Sequence, residues 1–330
     1  MLEVFPWQQP QWQQLIAAAD RGMLPHALLL SGQEGTGLGH FAACLGARFL
    51  CMQPPEGKVS CNECKPCILF EAGNHPDFLF IQPEEKGKQI RIDRIREMID
   101  FICLSTQFGR YKVVVIDPAD AMNRNAANTL LKTLEEPPPE SLILLVSHRT
   151  SLIPVTVRSR CQKIKINAQG QQVLDWLHTR QIKTQGDLQG LLALTDSGPL
   201  SILELFESGR ESVPHQLLED LGEIHARHVD PVHMAEKWQA LGAADVLHWL
   251  LLCFGRIARL KLTPAGVKPD KSSIIGYLQY LANDLDLHQA VACYDQALRN
   301  YHAATGPIAL SKQGLLEDMI VFMQTVKERG

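Results

Sequence analysis

The sequence predicts an α/β fold: a parallel sheet with helices on both faces to about residue 167, then helices alone to residue 330. Three observations carry this. A short apolar run, His26 to Ser31 (HALLLS), enters the glycine-rich loop Gly32 to Gly39 (GQEGTGLG), which opens onto the helical pattern HFAACLGARFLC. Strand, glycine loop and helix in that order make the phosphate-cradling unit of α/β proteins. Two further buried-strand runs, Lys112 to Asp117 (KVVVID) and Ser141 to Ser147 (SLILLVS), lie downstream, while from Ala168 onward the strand signal fades and apolar residues recur at helical spacing.

The glycine loop keeps its cradle and loses its chemistry. The pattern G-x-x-x-x-G-K-[ST] needs a lysine for the outer phosphates and a hydroxyl for magnesium, and the residues at those places are Leu38 and Gly39. Gly32, Gly35 and Gly37 supply the turns. KVVVID ends in Asp117, the carboxylate of a Walker B strand, but the next residues read D-P-A-D, so Pro118 stands where an ATPase carries its water-activating glutamate. A loop of this kind is expected to hold no ATP productively.

Composition sets wider bounds. With 330 residues, 45% of them apolar, there is material for two or three cores. A net charge of −4 argues against a surface that grips nucleic acid everywhere, although a local basic face is compatible with it. MLEVFPWQQPQWQQ lacks the pattern of a secretory signal, and the apolar stretch Val246 to Phe254 is cut by His248 and followed by Arg256. The expected setting is therefore the cytoplasm, with no membrane partner, and there nine cysteines are thiols or metal ligands rather than disulfides.

Four of those cysteines cluster. Cys61, Cys64 and Cys67 form two C-x-x-C steps sharing Cys64, and Cys51 closes the set from the end of the preceding helix across a loop holding Pro54, Pro55 and Gly57. Four thiolates complete a tetrahedral shell with no place for a catalytic water, which suits structural Zn2+. An iron–sulfur cluster and unligated thiols have compatible spacing. His75 and Cys44 are spare ligand candidates, with Cys44 better read as core, and Cys103, Cys161, Cys253 and Cys293 read as core.

Between the later strands, Asn123 to Pro139 (NRNAANTLLKTLEEPPP) places Ala126, Ala127, Leu130, Leu131 and Leu134 on one helical face and stops at three prolines. After SLILLVS, the segment IPVTVRSRCQKIK sets Ser159-Arg160-Cys161 between a turn and a last strand. The opening FPW, the cysteine loop, the NxxAANxLLKxLEEPP helix and VRSRC together resemble the delta prime family of clamp-loader subunits of bacterial DNA polymerase III, within the AAA+ class. The loss of the loop lysine separates the chain from the gamma/tau motors of that group.

That resemblance implies three parts: an AAA+ domain over 1–167 with a zinc-binding insertion at 51–67, a helical lid over 168–208, and a helical collar over 209–330. It implies an arginine finger at Arg160, with Ser159 beside it and Arg158 as the alternative, offered in trans to ATP on a neighbouring motor. The lid stretch Ser197 to Ser201 (SGPLS) has no arginine to sense a nucleotide, so Leu200 or Ser201 stands in its place. The implied role is a stator without ATPase activity of its own inside a DNA polymerase holoenzyme. Its partners would be the gamma/tau motors and the delta subunit, with the sliding clamp and primed DNA reached through the complex. An ATP-hydrolysing gamma-like motor, and a zinc-containing nucleic-acid-binding module on a vestigial NTPase fold, are the competing readings. In the third part, VLHWLLLCFGRIARLKL and HQAVACYDQALRNYHAAT are long amphipathic helices, separated by a loop at Thr263 to Ser273.

Overall fold

The structure, a computed structural model, describes residues 2–85, 87–108, 110–180, 187–195, 198–226, 229–262, 273–306 and 310–328. Gly186, Ser197 and positions 263–272 of the expected loops lie outside them. Packing divides the chain into two compact bodies, 1–180 with 197–201, and 181–196 with 202–330.

The first body is the sheet. In chain order it holds α1 (Gln9–Asp20), β1 (Ala27–Ser31), α2 (Leu38–Leu50), α3 (Lys65–Glu71), β2 (Phe78–Ile81), α4 (Ile92–Ile102), β3 (Lys112–Ile116), α5 (Arg124–Glu135), β4 (Ser141–Ser147), α6 (Val155–Arg158), β5 (Gln162–Lys165) and α7 (Gln171–Thr179). The five strands run parallel in the order β2-β3-β4-β1-β5, so β1 sits between β4 and β5. The parallel sheet is the one the sequence leads one to expect. Leu28 pairs with Leu144 on one side and Gln162 on the other, and every residue of β3 and β4 is buried. Strands covered on both faces are apolar along their middles, which is why Val113 to Ile116 and Leu142 to Val146 do not alternate, while the polar residues at their ends, Lys112, Ser141 and Ser147, find partners.

One face carries Ala27, Leu29, Val114, Ile116, Ile143 and Leu145, packed against Ile95, Met98 and Ile102 of α4 and Ala126, Ala127, Leu130 and Leu134 of α5. Asn123 starts α5 by accepting a hydrogen bond from the Ala126 N–H at 2.8 Å, and the helix stops before Pro137. Helix α2 packs on β1, β3 and β4.

Several particulars differ from the sequence expectations. β2 and α4 are additional elements. β2 is a four-residue edge strand with Phe80 exposed, too short to be told from loop. The residues ahead of Ser159 form the short helix α6 rather than a turn. Cys103 is exposed, not core: it follows the last turn of α4, one residue beyond buried Ile102, and the next residue, Leu104, is exposed as well. Cys44, Cys161, Cys253 and Cys293 are buried.

The second body is all helix: α8 (Leu188–Thr195), most of α9 (Pro199–Glu207), α10 (Val213–Ala226), α11 (Pro231–Leu241), α12 (Ala243–Leu262), α13 (Ile274–Asp284), α14 (Leu287–Thr305) and α15 (Lys312–Glu328). Helix α12 buries Val246, Leu250, Phe254 and Ile257 along one stripe and packs mainly on α14. Buried Asp220 accepts from Trp238 Nε1 at 2.9 Å and pairs with Lys237, fixing α11 on α10. Among the described residues, no single helix is long and apolar enough to cross a membrane.

Candidate functional site

The glycine loop lies between β1 and α2, at the carboxyl end of a central strand, where α/β sheets hold ligands. Gly35 and Gly37 take left-handed conformations, φ 76° and 74°, which glycine adopts without a Cβ penalty. The chain itself holds this loop from four directions. Trp7 Nε1 donates to the Thr36 carbonyl at 3.0 Å, and Gln8 Nε2 donates to the carbonyls of Thr36 and Gly37 at 2.9 Å each. Both side chains belong to residues buried to within 1% of complete. At the other end His148 Nδ1 lies 3.1 Å from the Gly32 carbonyl. A carbonyl oxygen only accepts, so the bonded nitrogen is the protonated one.

The fourth hold comes from Gly198 to Ser201, which belong to the same compact body as the sheet. Gly198 N–H donates to Glu34 O at 2.6 Å and Leu200 N–H to Gly35 O at 3.0 Å. The backbones meet so closely that a Cβ on Gly198 would lie 2.3 Å from the carbonyl carbon of Gly35. Thus Leu200 and Ser201 press on the loop.

The two altered motif positions have found other uses. Leu38 is 1% exposed and part of the core. Gly39 leaves room for Asp117: a Cβ there would stand 2.4 Å from Asp117 Oδ2, so the carboxylate occupies the space of the absent hydroxyl side chain. Burial pushes the Asp117 carboxyl pKa up, more than neighbouring His148 draws it down. The second acid of D-P-A-D, Asp120, accepts from Ser147 Oγ at 2.7 Å and pairs with Arg149, tying the end of β4.

The Cys51, Cys61, Cys64 and Cys67 sulfurs all lie within 4.8 Å of one another, a set able to hold a metal ion. A tetrahedral Zn–S4 centre with bonds of about 2.3 Å has S···S edges of about 3.8 Å. The Cys61–Cys67 and Cys64–Cys67 separations are 3.8 and 3.4 Å. Backbone N–H groups of Cys61 and Cys64 point at Cys51 Sγ and Cys61 Sγ, both at 3.4 Å. With the Glu63 and Cys64 amides aimed at it, the Cys61 thiol pKa falls to about 6, whereas burial raises that of Cys51. Arg48 Nη1 donates to Pro55 O at 2.7 Å and Lys58 O at 3.0 Å, tying the intervening loop. His75 stays outside the set, its Nδ1 accepting from the Asp77 N–H at 3.0 Å, and Cys44 is a buried thiol with its pKa raised to about 12 by burial.

At the far end of the body, Ser159 caps α6 with Oγ donating to Thr156 O at 3.1 Å. Arg160 is fixed in place. Its Nε donates to Glu135 Oε1 at 2.8 Å, Nη2 to the same oxygen, and Nη1 to Thr156 O at 2.8 Å. Arg158 is half-buried, and its Nε is buried without a hydrogen-bond partner among the described residues. Cys161, next in the chain, is buried with its pKa raised to about 11 by burial, and anchors the segment in the core.

Fold and site together define a parallel α/β domain with a phosphate-type glycine loop that lacks the motif lysine and hydroxyl and is held by its own chain. A family model described as DNA polymerase III, delta subunit, matches residues 7–170. DNA polymerase III subunit delta' of Pseudomonas aeruginosa is 33% identical, over 97% of this chain and 97% of its own length. The corresponding subunit of Escherichia coli is 28% identical over 99% of this chain and 97% of its own. A gamma subunit-related protein of Thermotoga maritima aligns over 95% of this chain and 99% of its own at 20% identity, with a TM-score of 0.49. The chain belongs to the DNA polymerase III subunit delta' family.

The sequence reading missed Trp7, Gln8, His148 and Gly198 as loop contacts. Each acts through a tertiary contact spanning at least 28 residues, which no local sequence pattern signals.

Proposed function

We propose that this chain is a stator of a DNA polymerase III clamp loader, which binds no ATP productively and lends Arg160 to the ATP of an adjacent motor. The carrying observation is the contrast between the two ends of one domain. The phosphate loop has lost its lysine and hydroxyl, and Asp117 fills the space beside Gly39. Arg160, by contrast, is held with its side chain one-third exposed and two N–H groups to spare. A planar guanidinium set against a γ-phosphate stabilises the charge that grows there in the transition state. Ser159 supports it by capping α6.

In this reading 1–167 is the AAA+ domain with a Zn2+-binding insertion at 51–67, 168–208 the lid and 209–330 the collar. The partners are gamma/tau motors and the delta subunit, in the cytoplasm, with the clamp and primed DNA reached through the assembly. The relatives' names and the SRC segment support this placement. The zinc assignment is supported by the tetrahedral sulfur spacing.

The test is Arg160→Ala in a reconstituted loader with clamp and primed DNA. Assembly should be retained, while the stimulated ATPase of the site it faces falls by about 10³-fold or more. The readout is turnover at the site that Arg160 faces. An unchanged rate there removes the assignment.

A further inference from the structure

Arg160 does not hang free, and what holds it has no role so far. A guanidinium has five N–H donors. Three are engaged: Nε and one Nη2 proton on Glu135 Oε1, and one Nη1 proton on Thr156 O. The two left over, one on each terminal nitrogen, have no partner among the described residues. They form an outer edge that can grip two phosphoryl oxygens at once.

Both supports are rigid. Glu135 is the last residue of α5, whose preceding carbonyl, Leu134 O, is held by His26 Nε2 at 3.0 Å while the Leu134 side chain is buried. Thr156 lies in α6 beside fully buried Val157. A side chain gripped from two core-anchored helices keeps one rotamer, and a long arginine otherwise loses much rotamer freedom when it engages a ligand.

We propose that Glu135 is a positioning residue for the trans arginine finger, bracing the side edge of Arg160 so that its outer edge faces the neighbour's phosphate. This rests on the finger reading of Arg160. Glu135 sits on the other side of the sheet domain's last crossover from Arg160, 25 residues earlier in the chain, and touches no nucleotide itself. An exposed ion pair is worth at most about 1 kcal/mol, or roughly fivefold in rate if all of it is expressed in the transition state. The effect is therefore far smaller than loss of the finger.

The experiment uses the reconstituted loader with clamp and primed DNA, and single-site turnover as readout. Glu135→Ala lowers kcat about three- to fivefold with KM for ATP unchanged. Glu135→Gln, which keeps an oxygen to accept from Nε and Nη2, stays closer to the native rate. In an Arg160→Ala background, Glu135→Ala has no further effect, since there is nothing left to brace; a structural role would add its own loss. Assembly is followed by gel filtration for each variant. If Arg160→Ala slows turnover but Glu135→Ala leaves it unchanged, faster or additive with Arg160→Ala, the bracing assignment is wrong and the finger stands. If Arg160→Ala leaves turnover intact, the finger itself falls.

Discussion

Replacing Gly198 with alanine tests the contact that closes the phosphate loop. The added Cβ would lie 2.3 Å from Gly35 C, 2.4 Å from Gly35 O and 2.4 Å from Thr36 N. Comfortable carbon contacts begin near 3.5 Å, so the two backbones must separate by about 1 Å. The obstructing atoms are main chain, which no rotamer change can clear. Separation strains or breaks the bonds from Gly198 N–H to Glu34 O and Leu200 N–H to Gly35 O. Two hydrogen bonds at about 1 kcal/mol each, with about 1–2 kcal/mol of overpacking, give a loss of about 3–4 kcal/mol. The control is Gly209→Ala, a left-handed glycine (φ 68°) with nothing within 4 Å of its Cβ, which costs about 1 kcal/mol through backbone strain alone. Urea unfolding gives both losses, and amide exchange reads Gly198 and Leu200 directly. A Gly198→Ala protein within about 0.5 kcal/mol of the native one, with both amides still protected, would refute the proposed contact.

Two other outcomes follow from the same structure. Elemental analysis should find about one zinc per chain, and Cys64→Ser, which removes the sulfur shared by both C-x-x-C steps, should abolish it and open residues 51–71 to protease; iron, or no metal in the native protein, would contradict the site. Because burial raises the Asp117 carboxyl pKa above its ordinary 3.8, folding favours the protonated form. The stability this group contributes is thus greatest at low pH and is lost as pH rises through the raised value. Asp117→Asn should be at least as stable as the native chain at pH 7, with the advantage vanishing on acidification toward pH 3.8; a clear loss of stability at pH 7 would count against it.

What the sequence made legible had obligatory spacing. The loop glycines, the two C-x-x-C steps, the α5 stripe from Ala126 to Leu134 and Ser159-Arg160-Cys161 each impose their own local geometry, so their places could be read before any fold was known. The four cysteines were brought together as expected, and the parallel sheet followed from uninterrupted apolar runs such as SLILLVS. The rest depended on distance in sequence. Nothing in WQ marks Trp7 and Gln8 as holding carbonyls near residue 36, and Gly198 reads as an ordinary turn glycine until its backbone is found against Gly35. Glu135 looks like one more acid before a proline stop. Cys103 was misjudged because apolar neighbours in sequence do not say which way a residue just past a helix end will point.

Whether this chain binds ATP is decided by titrating the isolated protein with magnesium and ATP in a calorimeter. With Leu38 in the core, Asp117 beside Gly39 and residues 198–201 seated on the loop, no saturable heat is expected up to about 1 mM nucleotide, a concentration at which binding worth only about 4 kcal/mol would register. A saturating isotherm in the micromolar range, above all one accompanied by turnover, would make the chain a motor rather than a stator.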